Sequence, residues 1–226
     1  MNRLNFLNQI ADSIVKMECD HPLRVAIDGV DAAGKTIFAD DLAPLITERG
    51  RIVIRSSVDY FHYPAEVRHK HSSTTPESYY FDSYDYDELI RVLLKPLGPS
   101  GDWRYCPGIY DYRIEQPMPE EWQTAPKGAI LLFDGIFLQR PELFDYWDVR
   151  IFLQADFETT VTRAAQRDQY LFGTEAQVRE RYINRYVPGQ RVYLEAVQPA
   201  KKATILIDNR DPQNPYLLDV RLDLSD

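Results

Sequence analysis

Blocks of consecutive apolar residues alternate along this chain with longer stretches of helical spacing. Leu4, Leu7, Ile10, Ala11, Ile14 and Val15 recur at helical intervals, predicting an amphipathic helix over 3–18 that His21–Pro22 ends. An apolar run at Val25–Ile27 predicts a first strand over about 23–28. Ile37, Phe38, Leu42, Leu45 and Ile46 then mark a helix, in which Pro44 predicts a kink or an early end and Gly50 a stop. Arg51–Ser57 predicts a second strand, with Ile52, Val53 and Ile54 as a short buried run. Strand, helix and strand in this order form the repeating unit of an α/β fold with a parallel sheet. Further strands are expected at Ala129–Phe133, Val149–Leu153 and Thr204–Ile207. Helical spacing fills 156–171 and 175–197, the second stretch being interrupted by Pro188–Gly189, and Tyr216, Leu217, Leu218 and Val220 suggest an edge strand.

Residues 58–84 break this rhythm. They are rich in Tyr, His, Ser and Pro and weakly periodic, and long irregular stretches inside compact domains are usually functional. Helical spacing returns at Asp87–Leu97, Gly98-Pro99-Ser100-Gly101 ends it, and Trp103–Tyr112 reads as a short hairpin or extended arm. The aromatic residues of 60–86 either stack on a ligand or pack on one another.

The first strand runs directly into Gly29-Val30-Asp31-Ala32-Ala33-Gly34-Lys35-Thr36, a full match to the phosphate-loop pattern G-x-x-x-x-G-K-[ST]. Gly29 and Gly34 can adopt backbone angles closed to other residues, so successive N–H groups can line one anion-sized cavity. A helix starting at Gly34 adds its positive dipole end. Lys35 reaches the β- and γ-phosphates and the Thr36 hydroxyl can ligate Mg²⁺. All eight residues, Gly29 to Thr36, are therefore expected to hold ATP.

Three further groups follow from position. Asp134 ends an apolar strand, where a second acid can hold Mg²⁺ directly or through water, although Asp–Gly is also a common turn pair. Asp59 follows the second strand, and ligands of open α/β sheets bind outside the carboxyl ends of strands. It suits either a base for an attacking hydroxyl or a strand-end cap. Arg163 and Arg167, four apart on one helix face, can offset charge on a transferring phosphoryl group. Arg179, Arg181, Arg185 and Arg191 also follow, but interleaved acids make a salt-bridged helix an equal reading for many of these cations. Phe172–Gly173–Thr174 suggests a flap in a lid. His62, His69 and His71 share one loop, and without a cysteine a solvated or substrate-lining role suits them better than a metal site.

From about Arg24 to Asn209 these residues resemble the uridine kinase and phosphoribulokinase branch of the phosphate-loop small-molecule kinases. Asp59-Tyr60-Phe61-His62 stands for the D-x-F-[YH] signature, and the resemblance implies that Asp59 activates the acceptor, with Phe61 beside it. Phe81-Asp82-Ser83-Tyr84-Asp85-Tyr86-Asp87 is loosely similar to F-D-x-P-x-A-F-D, which implies that Asp82 contacts acceptor hydroxyls. Pro107-Gly108-Ile109-Tyr110-Asp111 is similar to P-x-Y-D with one extra residue, implying a pocket role for Tyr110. Asp134-Gly135-Ile136 matches [ED]-G-I, and Arg163 to Asp168 matches R-x-x-x-R-D. The pyrimidine-reading His of uridine kinases is replaced by the region Arg113-Ile114-Glu115, the R-G-R after the lid R-D by Leu171-Phe172-Gly173-Thr174, and the F-D-x-P proline is missing.

The resemblance implies a three-layer α/β/α sandwich of the phosphate-loop NTPase class, with a mainly parallel twisted sheet and a helical lid. One domain over 1–226 is expected, with 58–126 as acceptor-binding insertion and arm and 163–197 as lid. The implied activity transfers the γ-phosphoryl of ATP, with Mg²⁺, to a hydroxyl of a small metabolite such as the nucleoside uridine. A sugar, a pantothenate-like or a nicotinamide-riboside-like acceptor stays open, as does a regulatory NTPase switch. No N-K-x-D guanine-reading motif is present.

Composition narrows the partners. A net charge of -9 over 226 residues argues against broad nucleic-acid or acidic-membrane binding. Cys19 and Cys106 are too few and too far apart for a disulfide framework, and no apolar run approaches membrane-spanning length. A cytoplasmic protein with a small-molecule partner is expected, and self-association is left open.

Overall fold

The computed structural model describes residues 2–68 and 75–221. In chain order these form α1 (Arg3–Val15), β1 (Leu23–Gly29), α2 (Lys35–Glu48) and β2 (Val53–Ser57). A 3₁₀ turn (Val58–Phe61) leads to α3 (Ala65–Arg68), α4 (Pro76–Phe81) and α5 (Tyr86–Leu89), which continues into a π-helical turn (Ile90–Leu94). The arm comprises four two-residue strands, β3 (Arg104–Tyr105), β4 (Tyr110–Asp111), β5 (Gln116–Pro117) and β6 (Gln123–Thr124). Then come β7 (Ile130–Gly135), α6 (Pro141–Phe144), β8 (Val149–Gln154), α7 (Phe157–Arg167), α8 (Gln169–Phe172) and α9 (Glu175–Arg181). A second π-helical turn (Tyr182–Tyr186), α10 (Val187–Val197), α11 (Pro199–Lys202), β9 (Ile205–Asp208) and β10 (Tyr216–Val220) complete the described chain.

The main sheet has the order β10-β9-β8-β1-β7-β2. All its pairings are parallel except that of the edge strand β10. The chain leaves β1 towards β2 on one side and later returns to β8 on the other. The carboxyl end of β1 therefore lies at a switch point, where open α/β sheets form their ligand crevice. β1 and β7 are buried along their whole length, which explains the apolar runs Val25–Ile27 and Ile130–Phe133 within them.

The pleat divides the core in two. Val25, Ile27, Ile130, Leu132 and Ile151 meet α1 and α2 on one face. Ala26, Leu131 and Phe133 meet the aromatic residues of 79–86 and α10 on the other. Tyr79, Tyr80, Tyr84 and Tyr86 are all buried there, so most of that aromatic wealth is core.

Four local expectations change. Helix α2 runs through Pro44 without ending. Pro44 and Asp40, whose carbonyl loses its helical partner, both lie on the exposed side, where water can replace the bond. Ile52 is 56% exposed rather than part of a buried run, because β2 is the sheet's edge. Pro188 does not break its helix but sits in the first turn of α10, where its missing N–H costs least. The interruption falls just before it, as the π-helical turn. The 156–171 helix divides at Asp168 into α7 and α8.

Candidate active site

The phosphate loop has the backbone its glycines foreshadow. Gly34 is left-handed at φ 93° and so is Ala32 at φ 56°. A Cβ on Gly29 would lie 2.7 Å from the Leu153 carbonyl oxygen, so the loop needs glycine there for close approach as well. Lys35 Nζ donates to the Val30 carbonyl at 2.8 Å, lying across the loop it serves.

Strand register explains which acid faces what. Asp134 pairs with Ile27 and Ser57, so its side chain emerges on the α2 side of the sheet. There it accepts a hydrogen bond from the Thr36 hydroxyl at 2.7 Å and another from Arg55 Nη2 at 2.9 Å. Arg55 also donates to Asp40 at 2.8 Å, so it fixes the acid from the neighbouring strand. Asp28, one residue later in β1, emerges on the opposite face. It is fully buried, accepts hydrogen bonds from Tyr193, from Gln139 Nε2 at 3.2 Å and from the Gly29 N–H at 2.8 Å, and burial raises its pKa. This trio fastens the base of the loop to α10.

Asp31 ties the loop to α4 and α10. Its carboxylate accepts from the Tyr79 hydroxyl at 2.6 Å and from Gln190 Nε2 at 3.1 Å, while its N–H donates to Gln190 Oε1 at 2.9 Å.

The 3₁₀ turn after β2 sorts its residues by its three-residue period. Positions i and i+3 eclipse, so Val58 and Phe61 share one side and Asp59 and His62 the other. Val58 and Phe61 are fully buried, Phe61 packing 6.1 Å from the Phe133 ring centre. Phe61 thus has no face for an acceptor; it seats the turn that carries Asp59. Asp59 is half-exposed at the cleft, with His62 Nε2 at 3.9 Å. The surrounding protein raises its carboxyl pKa to about 6, through desolvation first and then the Asp134 charge, against the pull of Lys35. Arg167 also pulls it down and Asp31 pushes it up.

His62 has its Nδ1 3.0 Å from the Ser83 carbonyl, and its ring stacks 4.4 Å from Tyr84 and 5.2 Å from Tyr112. Burial lowers its pKa to about 4, so the imidazole is neutral at physiological pH. Among the described residues no group of three or more His, Cys, Asp or Glu is arranged to hold a metal. His69 and His71 lie outside the described residues.

The remaining expected site residues are more dispersed. Asp82 caps α4 and shares with Asp85 and Asp87 the surroundings of Tyr63, whereas the phenols that feel Asp59 are Tyr84 and Tyr112. Tyr110 is buried and its hydroxyl donates to Glu115 at 3.0 Å, bracing the arm. Arg163 and Arg167 separate in purpose. Arg163 gives its guanidinium to the Ala32, Asn209 and Arg210 carbonyls, so it braces the outside of the loop instead of facing the cleft. Arg167 stays 59% exposed while Asp168 holds its Nε at 2.6 Å, and the Tyr182 hydroxyl secures Asp168 at 2.7 Å. Helices α7 and α9 share a small core of Val161, Ala164, Val178 and Tyr182, with Thr174 and Gln177 forming a capping box after Gly173.

The donor chemistry fits Mg²⁺. Thr36 and Asp134 offer two adjacent hard oxygens, and Mg²⁺ is ordinarily held by one or two protein oxygens together with substrate phosphates and water. A largely apolar crevice of about 390 Å³ lies between Phe152–Ala155 and 198–201, with Val30 of the phosphate loop in its wall.

Asp28, Arg55, Tyr84, Tyr112, Gln190 and Tyr193 belong to the site without standing at any expected site position, and only Tyr84 has a signal in the sequence, as one of the aromatic run.

If Asp59 serves as a base, kcat/KM is expected to be level above its pKa near 6 and to fall about tenfold per pH unit below it, because the proton then occupies the accepting oxygen. A pH–rate profile of the enzyme checks this; a level profile down to about one unit below that pKa contradicts it.

No family model matches the sequence. The uridine kinase of Bacillus thuringiensis (strain Al Hakam) is 26% identical over 210 residues, covering 90% of this chain and 93% of that protein. A Bacillus stearothermophilus structure described as a possible uridine kinase aligns with a TM-score of 0.70 at 20% identity, covering 90% of this chain and 96% of that one. A D-glycerate 3-kinase from Cryptococcus neoformans aligns with a TM-score of 0.67 at 16% identity, covering 94% and 99%. Both sequence and fold support the uridine kinase and phosphoribulokinase-like branch of the phosphate-loop kinases for this chain.

Proposed function

We propose that this chain is an ATP-dependent kinase that phosphorylates a hydroxyl group of a small metabolite. The observation that carries this reading is the convergence on one crevice of a phosphate loop, the Thr36–Asp134 oxygen pair and the half-exposed Asp59 carboxyl with its raised pKa. The loop amides from Gly29 to Thr36 and the Lys35 ammonium hold the ATP phosphates. Mg²⁺, when bound at Thr36 and Asp134, neutralises phosphate charge. The acceptor oxygen forms the new bond to the γ-phosphorus as the bond to the bridging oxygen of ADP breaks, and Asp59 takes the hydroxyl proton. Arg167 offsets charge from the lid side. Residues 58–126 serve as the acceptor-binding part and 163–197 as the lid of one domain.

Likeness to the uridine kinases makes a nucleoside such as uridine the first acceptor to test. A second reading keeps the chemistry on another small alcohol. It is favoured by the acceptor side, where His62 Nε2 lies 3.9 Å from Asp59, Tyr84 and Tyr112 feel its charge, and Tyr110 is turned to Glu115. ADP release from Mg-ATP across nucleosides, sugars and vitamin precursors tests the proposal. One acceptor is expected to raise release well above the ATP-only rate, and uniform background release would refute it.

A further inference from the structure

We infer that the acceptor crevice contains a subsite for an anionic group, centred on Arg185, so that the phosphorylated alcohol itself carries a carboxylate or a phosphate ester. This rests on the kinase reading above and selects among its acceptors.

Arg185 stands on the π-helical turn between α9 and α10. Pro188 brings no N–H to this segment, and the wider turn carries the side chain towards α4. Its guanidinium lies 5.9 Å from the Tyr79 ring centre and 5.5 Å from that of Tyr186. Tyr79 is the residue whose hydroxyl binds Asp31 of the phosphate loop, so Arg185 stands beside a ring that reaches the cleft.

Its polar atoms lack what other arginines here possess. Arg140, Arg167 and Arg179 each face a carboxylate. Among the described residues none pairs with Arg185, and its Nε is shut off from solvent with no hydrogen-bond partner. A buried N–H left unpaired is a standing cost that a ligand oxygen would remove. Nearby cations add to that cost. Arg181 Nε binds the hydroxyl of the same Tyr186 at 3.0 Å. Burial first, then Arg181 and Arg68, lower the Arg185 pKa. Only Arg68 of the three brings a carboxylate, Glu115, in an ion pair of its own. A planar guanidinium seated on two phenol rings beside further positive charge and without a counter-ion is suited to bind carboxylate or phosphate oxygens. An uncharged nucleoside would leave it unsatisfied.

Matched pairs of compounds test this on the full chain: glycerol against glycerate for a carboxylate, ribose against ribose 5-phosphate for a phosphate ester, with uridine and inorganic phosphate alongside. Calorimetric binding and ADP release are measured for wild type, Arg185→Gln and Arg185→Lys, with the thermal midpoint as the check on folding. The charged member of at least one pair is expected to bind more tightly, Arg185→Gln to weaken it about tenfold or more, and Arg185→Lys to recover part of the loss. Equal binding of charged and uncharged members, failure of every anion to bind wild type, or an undiminished preference in Arg185→Gln would overturn the inference. Absence of ADP release with all compounds removes the kinase reading, while the binding comparison still decides the subsite.

Discussion

Asp59→Asn is expected to lower kcat by about 10²–10⁴-fold while leaving ATP affinity unchanged or slightly improved. The amide keeps the size of the carboxyl and its place on the 3₁₀ turn, so the packing of Val58 and Phe61 behind it is retained. It cannot take a proton. It also removes a negative charge beside Asp134 and Asp31, which relieves rather than worsens repulsion towards the phosphates. The neighbourhood therefore predicts a split, with catalysis lost and nucleotide binding kept. Steady-state rates together with calorimetric ATP titration check it, and turnover within about twofold of wild type would remove Asp59 from the base role.

Lys35→Ala is expected to damage both quantities. Loss of the ammonium removes the one loop side chain that can travel with the β- and γ-phosphates, and with it a charge that helps keep Asp59 ionised. Removal of a single preorganised charge-stabilising donor costs about 10²–10³-fold in rate, or about 2.7–4 kcal/mol. Here a weakening of ATP binding comes in addition, since the contact exists before the transfer. The same titration and rate assay separate this variant from Asp59→Asn. Lys35→Arg should not restore activity, because a planar fork does not replace a compact ammonium inside a loop sized for it.

The parts of this architecture that sequence exposes are those governed by local rules. Strands β1 and β7 are covered on both faces and so carry the apolar runs Val25–Ile27 and Ile130–Phe133. The loop is legible because its glycine positions are steric requirements. Asp134 is legible because parallel strands deliver their carboxyl ends to one crevice. Legibility ends where direction depends on a turn type or a distant partner. Phe61 follows Asp59 by two residues, yet the three-residue period of the turn sends it into the core. Arg163 and Arg167 share a helix face, but Asn209 and Arg210 offer carbonyls to the first and Asp168 a carboxylate to the second. Nothing in the sequence marks Asp28 for its place until Tyr193, 165 positions later, meets it behind the loop. Arg185 is one cation among several on a charged helix until the π-helical turn and Tyr79 give it a place at the cleft.

The central claim is transfer of a phosphoryl group to a small alcohol, and detection of the product tests it most directly. Wild-type protein is incubated with Mg²⁺, γ-labelled ATP and the panel of acceptors, uncharged and acidic, and the small molecules are resolved by mass spectrometry. The account predicts one acceptor carrying a single additional labelled phosphoryl group on a hydroxyl, formed in step with ADP and absent with Asp59→Asn. Label found only in inorganic phosphate, with every acceptor unchanged, would contradict it.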